Sequence, residues 1–286
     1  MFKPVLASEA DSQVIFPKLA SVKLDGIRVV TKFGGALTRS LKPVPNQHIR
    51  DMLAPYQDLD GEIIVGEPTA PDCYRTTNSA VMSHDGEPQF VFYVFDCLQN
   101  PTNPFSRRFS DLQMRNLPNF IKVLPQVYVD SQEALDALYA HYLEQGYEGA
   151  ILRNEKAVYK YGRETAKSQN MLKMKPYADS EAVILSAYEA MENLNEAFTN
   201  ELGQTERSTH QENKTGKGMV GGFIVKDLKS GIEFNCSAGK LNHEERTELW
   251  GKDLAGKILK YRSMSYGVKD KPRFPRFIGW RSTLDM

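Results

Sequence analysis

Residues 21–33 read SVKLDGIRVVTKF and combine a structural signal with a chemical one. Two apolar, β-branched runs flank Asp25-Gly26, a pair typical of tight hairpin turns, so we expect a strand, a turn and a second strand paired with the first. A lysine at a strand end beside a turn can point into a cleft, where its deprotonated amine can attack a phosphorus or carbonyl centre. Taken alone, the same pattern also fits a solvent-exposed lysine, because short motifs match by chance often.

The first 175 residues alternate short β-rich runs with helical ones. The runs EIIVG (62–66) and FVFYVFDCL (90–98) are typical of buried strands. Apolar spacing predicts a helix over 131–145, with Asp130 and Glu133 as its capping pair and Gly146 as its stop. These patterns predict an α+β fold of antiparallel sheets and helices, not a regular series of βαβ units.

The character of the chain changes near residue 177. Residues 191–218 are polar and predict a long loop or a flexible hairpin. After it come two strand-like runs joined by a turn at 229–231, a short helix in HEERTELW (243–250) capped by Asn242, and a last strand-like run at 257–267. Several short strands and one helix suit a β-barrel of the OB type, so we expect domains at 1–177 and 178–286.

Composition places the chain among ordinary globular proteins. Its 286 residues carry 36 Lys+Arg and 36 Asp+Glu, which argues against a simple polybasic coat protein for nucleic acid. Three widely spaced cysteines do not form a disulfide framework, and the five histidines lack metal-ligand spacing. The chain has no apolar run near the length of a membrane span and no apolar signal core at its N-terminus. We expect a soluble, cytoplasmic protein that binds no membrane and has no structural zinc.

The neutral total is a sum of segregated charges. Residues 153–177 hold seven Lys or Arg against two Glu (+5), and residues 251–286 hold nine against three Asp (+6). Residues 181–206 hold six Glu and no Lys or Arg (−6). Local basic blocks therefore remain available to bind phosphates despite the zero net charge.

Four more motifs follow the KLDGIR box. They are DGEI (60–63), FYVFD (92–96), EGAILR (148–153) and LKMK (172–175), whose two lysines share one face of a strand. Each alone also fits a turn, a core strand or a solvated strand face. In this order, the set resembles the covalent nucleotidyltransferases: ATP-dependent DNA ligases, RNA ligases and mRNA capping enzymes. TRSLKP (38–43), YKYGRET (159–165), RSTH (207–210) and PRFPRFIGWR (272–281) narrow the resemblance to small ATP-dependent DNA ligases of the Chlorella virus type.

This resemblance implies sealing of 5′-phosphate/3′-hydroxyl nicks in duplex DNA through lysyl-AMP and adenylated DNA, in replication, repair and recombination. It implies ATP as the AMP donor, Mg²⁺ or Mn²⁺ as the metal, a monomer, and a viral or phage source, with the host nucleus as a second possible compartment. By resemblance, Lys23 is the nucleophile, Asp25 supports it, Arg28 contacts the nick phosphate and the nucleotide, and Lys173 and Lys175 grip the α-phosphate and favour the neutral amine of Lys23.

The resemblance also assigns the nucleotide and DNA contacts. The nucleotide-binding residues it implies, beyond those already named, are Ser21 at the adenine amino group, Arg39, Glu62 at the ribose, Phe95 under adenine, Glu148, Arg163, Arg273 and Arg281. Glu148 and Glu62 are the implied metal ligands, and Arg273 and Arg281 orient the leaving pyrophosphate when the OB domain closes over ATP. The implied DNA contacts are Arg28, Arg39 and, in a DNA-clamping segment at 191–218, Arg207, Lys214 and Lys217.

Several alternatives stay open at this point. RNA ligases and capping enzymes share the lysine chemistry, and a non-catalytic OB-type nucleic-acid binding protein would need none of the motif residues. Arg39 also fits an exposed strand end, Phe95 a core position, and residues 191–218 a merely solvated insertion.

Overall fold

The computed structural model describes residues 1–10, 13–266 and 271–281. The chain divides into two compact units. The first comprises Met1–Lys175 with Glu201–Gln204, and the second Pro176–Asn200 with Thr205–Met286. The division at Lys175 lies two residues before the predicted boundary. The last residue of the strand run predicted at 257–267 and the C-terminal residues 282–286 lie outside the described part of the chain.

Short strands dominate both units. The strands are β1 Ser8–Glu9, β2 Lys18–Lys23, β3 Ile27–Lys32, β4 Gly35–Thr38, β5 Leu59–Ile64, β6 Val91–Cys97, β7 Ile121–Val123, β8 Val127–Val129, β9 Gly149–Arg153, β10 Met171–Met174, β11 Ala178–Asn193, β12 Ala197–Thr199, β13 Thr205–Arg207, β14 Lys214–Asp227, β15 Glu233–Ser237, β16 Ile258–Tyr266 and β17 Pro272–Trp280. The helices are α1 Gln47–Leu53, α2 Cys73–Met82, α3 Phe105–Gln113, α4 Gln132–Glu144 and α5 His243–Leu249. Among the described residues, none of the helices is both long and apolar enough to cross a membrane.

The first unit holds two five-stranded sheets. The first sheet has the order β1-β10-β9-β2-β8 and the second β4-β3-β5-β6-β7. All neighbours are antiparallel except β1 with β10 and β6 with β7. The predicted α+β class with antiparallel sheets is therefore confirmed, with one short parallel edge pairing in each sheet.

Each of these sheets is apolar on one face. In the first sheet, Ala20, Leu152 and Leu172 form a buried cluster with Leu135 of α4. In the second sheet, a larger cluster packs against α1, α2 and α3; its members include Val29, Ile63, Phe92, Ile49, Val81 and Leu112. Because side chains alternate along a strand, the opposite face of each sheet carries the polar residues of the motifs.

The hairpin predicted at Asp25-Gly26 is wrong. β2 pairs with β8 and β9 in the first sheet, whereas β3 pairs with β4 and β5 in the second. The turn thus carries the chain from one sheet to the other. Gly26 is required because a Cβ there would lie 2.2 Å from the carbonyl oxygen of Ile63 on β5. The glycine serves close packing between segments, not the positive φ of a two-residue hairpin turn.

The helix predicted over 131–145 is α4, with a different N-cap. Ser131 caps it, its hydroxyl accepting a hydrogen bond from the backbone N–H of Ala134 at 3.2 Å. The predicted cap, Asp130, lies one residue too early, so the expected pairing of Asp130 with Glu133 is wrong. Gly146 ends the helix with φ 88°, as expected for a C-terminal glycine.

The second unit contains a closed five-stranded barrel, β11-β14-β15-β17-β16, which confirms the predicted β-barrel. Its core includes Val220, Phe223, Leu259 and Phe277. The predicted cap of the short helix α5 is also confirmed. Asn242 accepts from the backbone N–H of Glu245 at 2.9 Å, and the Glu245 carboxylate accepts from the Asn242 N–H at 2.8 Å.

Residues 191–218, called the latch segment below, form a hairpin and not a long loop. β11 runs on to Asn193 and β14 starts at Lys214, where the two residues pair. Beyond them, β12 and β13 form a separate two-stranded ladder. A two-stranded ribbon exposes much of both faces to water, so its strands can be polar throughout. Of the two predicted alternatives, a long loop or a hairpin, the structure has the hairpin.

All three cysteines are buried and free. Cys73 and Cys97 lie in the first unit, and Cys236 lies in the barrel core on β15. Burial raises the pKa of the Cys236 thiol to about 12. A thiol in this setting packs as a small apolar group.

Candidate active site

The strand register of the first sheet gathers three of the predicted catalytic lysines. Ser21 on β2 and Lys173 on β10 both pair with Ile151 of β9, and Lys23 pairs with Gly149. Cross-strand partners point to the same face, as do residues two apart on one strand. Ser21, Lys23 and Lys173 therefore share the face opposite the α4 cluster, and Lys175 follows two residues after Lys173.

Lys23 is ion-paired to Glu148. The Lys23 Nζ donates to the Glu148 carboxylate, and the backbone N–H of Glu148 donates to the Lys23 carbonyl at 3.2 Å. The two side chains are only 21% and 10% exposed. The next residue, Gly149, lets the start of β9 approach the end of β10, because it has φ 151° and a Cβ there would lie 2.0 Å from the Met174 carbonyl oxygen. The predicted nucleophile and a predicted metal ligand are thus in direct contact.

Two further lysines lie on β10 or just after its end. Lys173 forms an ion pair with Glu9 at 3.0 Å. Burial lowers the pKa of Lys175, with Lys173 and Lys23 acting in the same direction and Glu9 opposing them. At this end of the sheet Lys23 and Lys173 are thus each paired with a carboxylate, and burial favours the neutral form of Lys175.

The second sheet presents Arg28 and Glu62 as cross-strand partners on β3 and β5. Burial raises the pKa of Glu62 from 4.5 to about 7, although the charges of Lys23 and Arg28 act to lower it. Arg28 of the second sheet and Arg153 of the first both lie against the ring of Phe95, so the polar faces of the two sheets meet at one site. Glu62 is therefore poised between its neutral and charged forms near neutral pH.

Arg28 is held rigidly by a buried carboxylate that sequence reasoning missed. Its Nε and Nη2 donate to the two Asp60 oxygens at 2.9 and 2.6 Å. The Tyr159 hydroxyl donates to Asp60 at 2.5 Å and accepts from the Val5 N–H at 3.1 Å. The DGE motif contains Asp60, so its first residue was a signal. Tyr159 lies in YKYGRET, but no spacing tied it to Arg28.

A second buried network links the two sheets. Arg153 of β9 donates to Asp96 of β6 at 2.7 Å, and Arg108 of α3 donates to the same carboxylate at 2.8 and 3.0 Å. All three side chains are at least 95% buried. Asp96 ends the FYVFD motif and Arg153 ends EGAILR, so both lay in quoted motifs without being assigned. Arg108 carried no sequence signal.

Phe95 lies between the two networks. The guanidinium carbons of Arg28 and Arg153 lie 5.4 and 5.2 Å from its ring centroid, within cation–π range. Phe95 also packs with a small apolar cluster that includes Leu24 and Tyr93. It is half-buried, so it joins core contacts to the polar site.

Asp25 and Ser21 also lie at this site. Asp25 is half-buried in the turn that joins the sheets, and its carbonyl accepts from the Cys73 thiol at 3.5 Å. Ser21 is buried on the same face of β2 as Lys23.

Two predicted nucleotide contacts are more remote from this cluster. Arg39 is exposed just after β4, and its side chain makes no hydrogen bond or ion pair in the described part of the chain. Arg163 is exposed too, and it donates to the Ala7 carbonyl at 3.3 Å.

The remaining predicted cations belong to the second unit. Arg281 is ion-paired with Glu181, and Arg273 lies 5.7 Å from the ring centroid of Phe274. In the latch segment, Arg207 donates to the Asn195 carbonyl, Lys214 donates to the Thr209 carbonyl at 2.8 Å, and Lys217 lies 3.9 Å from Glu192.

The donors at the site fit a metal that arrives with phosphates. Within residues 1–10, 13–266 and 271–281, no group of three or more His, Cys, Asp or Glu could hold a metal ion. Glu62 and Glu148 nevertheless influence each other electrostatically beside Lys23. Mg²⁺ is commonly bound by one or two carboxylates with water and substrate phosphates completing its shell. The pair fits such shared binding and not an all-protein cage.

Comparison with known proteins gives two family matches. Residues 4–175 match the model described as ATP dependent DNA ligase domain, and residues 213–281 match the DNA ligase OB-like domain. A DNA ligase of African swine fever virus (isolate Warthog/Namibia/Wart80/1980) is 33% identical over 101 residues, which are 33% of this chain and 24% of that protein. The chain thus spans about a quarter of the length of that relative.

Solved structures match over nearly the whole chain. The crystal structure of Chlorella virus DNA ligase-adenylate is 26% identical, with a TM-score of 0.55, covering 98% of this chain and 100% of that one. A structure from a study of Lig E DNA ligases is 22% identical, with a TM-score of 0.74 and the same coverage; this likeness shows the fold alone.

Proposed function

The chain belongs to the family of ATP-dependent DNA ligase domains, and we propose that it is an ATP-dependent DNA ligase that seals 5′-phosphate/3′-hydroxyl nicks in duplex DNA. The observation that carries the proposal is the environment of Lys23. A half-buried lysine lies against Glu148, with Lys173 on the same sheet face and the Arg28–Glu62 pair on the facing sheet. A nucleophilic amine, carboxylates and several cations are the groups that phosphoryl transfer needs.

In the first step, Lys23 Nζ attacks the α-phosphorus of ATP. A nitrogen–phosphorus bond forms, the bond to the bridging oxygen of pyrophosphate breaks, and pyrophosphate carries away the electron pair. The ammonium first passes a proton to solvent, and the hydrogen bond from Lys23 to Glu148 opens so that the amine lone pair can face the phosphorus. Lys173 and Lys175 hold the α-phosphate and stabilise its developing charge.

The nucleotide is held by residues around Lys23. Glu62 accepts hydrogen bonds from the ribose hydroxyls, Phe95 stacks on adenine, and Ser21 contacts the adenine amino group, with Asp25, Arg39 and Arg163 completing the pocket. Glu62 and Glu148 would hold Mg²⁺ or Mn²⁺, which neutralises phosphate charge when bound. Arg273 and Arg281 orient the pyrophosphate.

The second and third steps transfer AMP and close the nick. An oxygen of the nick 5′-phosphate attacks the phosphorus of lysyl-AMP, forming a pyrophosphate link to AMP and releasing the Lys23 amine. The 3′-hydroxyl then attacks the 5′-phosphorus, losing its proton and expelling AMP. Two hydrogen bonds to Asp60 fix the orientation of the Arg28 guanidinium, which then contacts the nick phosphate.

Away from the nick, the phosphates of the duplex are contacted by Arg39, Arg207, Lys214 and Lys217. Phosphate contacts position a protein without reading sequence, which suits an enzyme that must seal any nick. We infer a monomer that works in DNA replication, repair and recombination, in the cytoplasm or, for a viral source, also in the host nucleus.

The direct test is label transfer followed by sealing. The purified chain is incubated with α-labelled ATP or GTP and a divalent cation, then with nicked duplexes whose strands are DNA or RNA. We expect label on the protein from ATP only, and sealing of the DNA nick. Label from GTP alone would indicate a capping enzyme, and sealing of RNA alone an RNA ligase. DNA binding without any labelling would indicate a non-catalytic binding protein.

A further inference from the structure

Asn195 is an unusual residue within the latch segment. Its side chain is 94% buried, whereas its neighbours Leu194 and Phe198 are 55% and 48% exposed. A two-stranded hairpin is marginally stable at best in water, because it lacks an apolar core of its own. A buried amide in such a hairpin therefore needs an explanation.

The explanation is a set of hydrogen bonds to the RSTH turn, residues 207–210. The Nδ2 of Asn195 donates to the carbonyls of Ser208 and His210 at 2.9 and 2.8 Å. The Nδ2 of Asn193 donates to the Ser208 carbonyl at 2.8 Å, and the Asn193 Oδ1 accepts from the Asn195 N–H at 3.1 Å. One amide thus ties two carbonyls that lie two residues apart and fixes the backbone between them.

The same turn arranges two cations. Arg207 donates to the carbonyl of Asn195 itself, and Lys214 donates to the Thr209 carbonyl at 2.8 Å. Within the described residues, neither side chain forms an ion pair. A neutral carbonyl oxygen orients the charged group of Arg207 or Lys214 without neutralising it. The Lys217 ammonium, in contrast, lies 3.9 Å from the Glu192 carboxylate. Arg207 and Lys214 therefore keep the full charge that a phosphate would attract.

We propose that Asn195 is a positioning residue for DNA binding: it shapes the RSTH turn so that Arg207 and Lys214 meet the phosphates of the duplex. The inference rests on the proposed function, because it takes nicked duplex DNA as the ligand. It adds a residue that no sequence motif marked.

The test is direct binding of a fluorescent nicked duplex, measured by anisotropy, with Asn195→Ala against Asn200→Ala. Asn200 lies in the same hairpin, where its Nδ2 donates to the Glu206 carboxylate at 2.9 Å. Losing two hydrogen bonds to the turn should raise the Kd of Asn195→Ala about tenfold. The Kd of Asn200→Ala should stay within about twofold of the parent value, because the hydrogen bond that it removes goes to a carboxylate and not to the carbonyls of Ser208 and His210.

Two further readouts separate positioning from general damage. Lysyl-AMP formation should be unchanged in Asn195→Ala, and sealing should show a raised KM for nicked DNA with kcat kept. In an Arg207→Ala/Lys214→Ala background, adding Asn195→Ala should raise the Kd little further, because the effects of residues that act through one another are not additive.

An unchanged Kd for Asn195→Ala would overturn the inference. The inference would also be overturned if Asn195→Ala weakened DNA binding by the same factor in the parent and in the Arg207→Ala/Lys214→Ala variant. Failure of the parent chain to form lysyl-AMP, with its duplex binding intact, would instead overturn the proposed function and leave the binding comparison valid.

Discussion

Lys23 and Glu148 hold each other at the centre of the site, and this contact sets the first prediction. Lys23→Ala removes the proposed nucleophile, so we expect loss of both lysyl-AMP and nick sealing. Lys23→Arg keeps the positive charge beside Glu148 but supplies no amine, so it should be equally inactive. Label transfer from α-labelled ATP measures the first activity and a nicked duplex the second.

The matched control is Lys32→Ala. Lys32 is a half-buried lysine of β3 that pairs with Asp58 at 2.6 Å, outside the site. It should keep both activities. Sealing that survives in Lys23→Ala would contradict the proposed mechanism.

Glu62 gives a prediction about pH and stability. Its pKa is raised by burial to about 7, so between pH 4.5 and 7 the folded chain holds a proton that the unfolded chain has released. Stability from this group therefore falls as pH rises through that window. Glu62→Gln is neutral throughout, so its stability relative to the parent should rise by about 2 kcal/mol between pH 5 and pH 8.

Urea unfolding at the two pH values measures this difference. Glu67→Gln, which removes an exposed carboxylate just after β5, is the control for the loss of a negative charge. If Glu62→Gln changed the free energy of unfolding by the same amount at both pH values, Glu62 would not be neutralised by its surroundings.

At the scale of elements, the Arg153–Asp96–Arg108 network joins β9, β6 and α3. Asp96→Asn leaves two buried guanidiniums without their carboxylate, and breaking such a pair costs about 3–5 kcal/mol. We expect a loss of that size in the free energy of unfolding of the first unit. Asp72→Asn removes the exposed partner of Arg75 in a 3.3 Å pair and should cost less than about 1 kcal/mol. Equal effects of the two variants would mean that the buried network contributes no more than a surface pair.

Local signals predicted the elements best. The Asn242 cap of α5 and the Gly146 stop of α4 depend on residues within one turn of the helix end, so the sequence marks them directly. The partner of a strand does not depend on local sequence. Asp25-Gly26 resembled a hairpin, but β2 and β3 each found a better-matching partner in a different sheet.

Sequence motifs singled out some residues of the candidate site directly. For others, the motifs gave only the stretch of chain in which the residue lies. Lys23, Glu148 and Lys173 stood in quoted motifs; the register places Lys23 and Lys173 on one face of the first sheet, and Glu148 lies against Lys23. Their roles stay predictions. Asp96 and its partner Arg153 lie 57 residues apart, and nothing in either motif requires them to meet. Asn195 was missed because a lone asparagine in a polar segment is typical of a solvated turn.

For the whole molecule, a neutral total charge does not prevent individual cations from binding phosphates, and this has a measurable consequence. Each phosphate contact adds about −0.9 to the slope of log affinity against log salt. Five proposed DNA-binding cations predict a slope of about −4 to −5 for nicked duplex. Arg207→Ala/Lys214→Ala should reduce that slope by about 2. A flat salt response in anisotropy measurements would contradict the phosphate-contact model.

The burial of all three cysteines makes the chain a natural scaffold for site-specific labelling. Maleimide reagents react with exposed thiolates, and Cys73, Cys97 and Cys236 offer none at the surface. A single cysteine introduced at exposed Thr199 of β12 should therefore take up a fluorophore alone, with no need to remove the native thiols. A dye at that point, paired with one on the duplex, would time the arrival of DNA at the latch segment in each round of sealing.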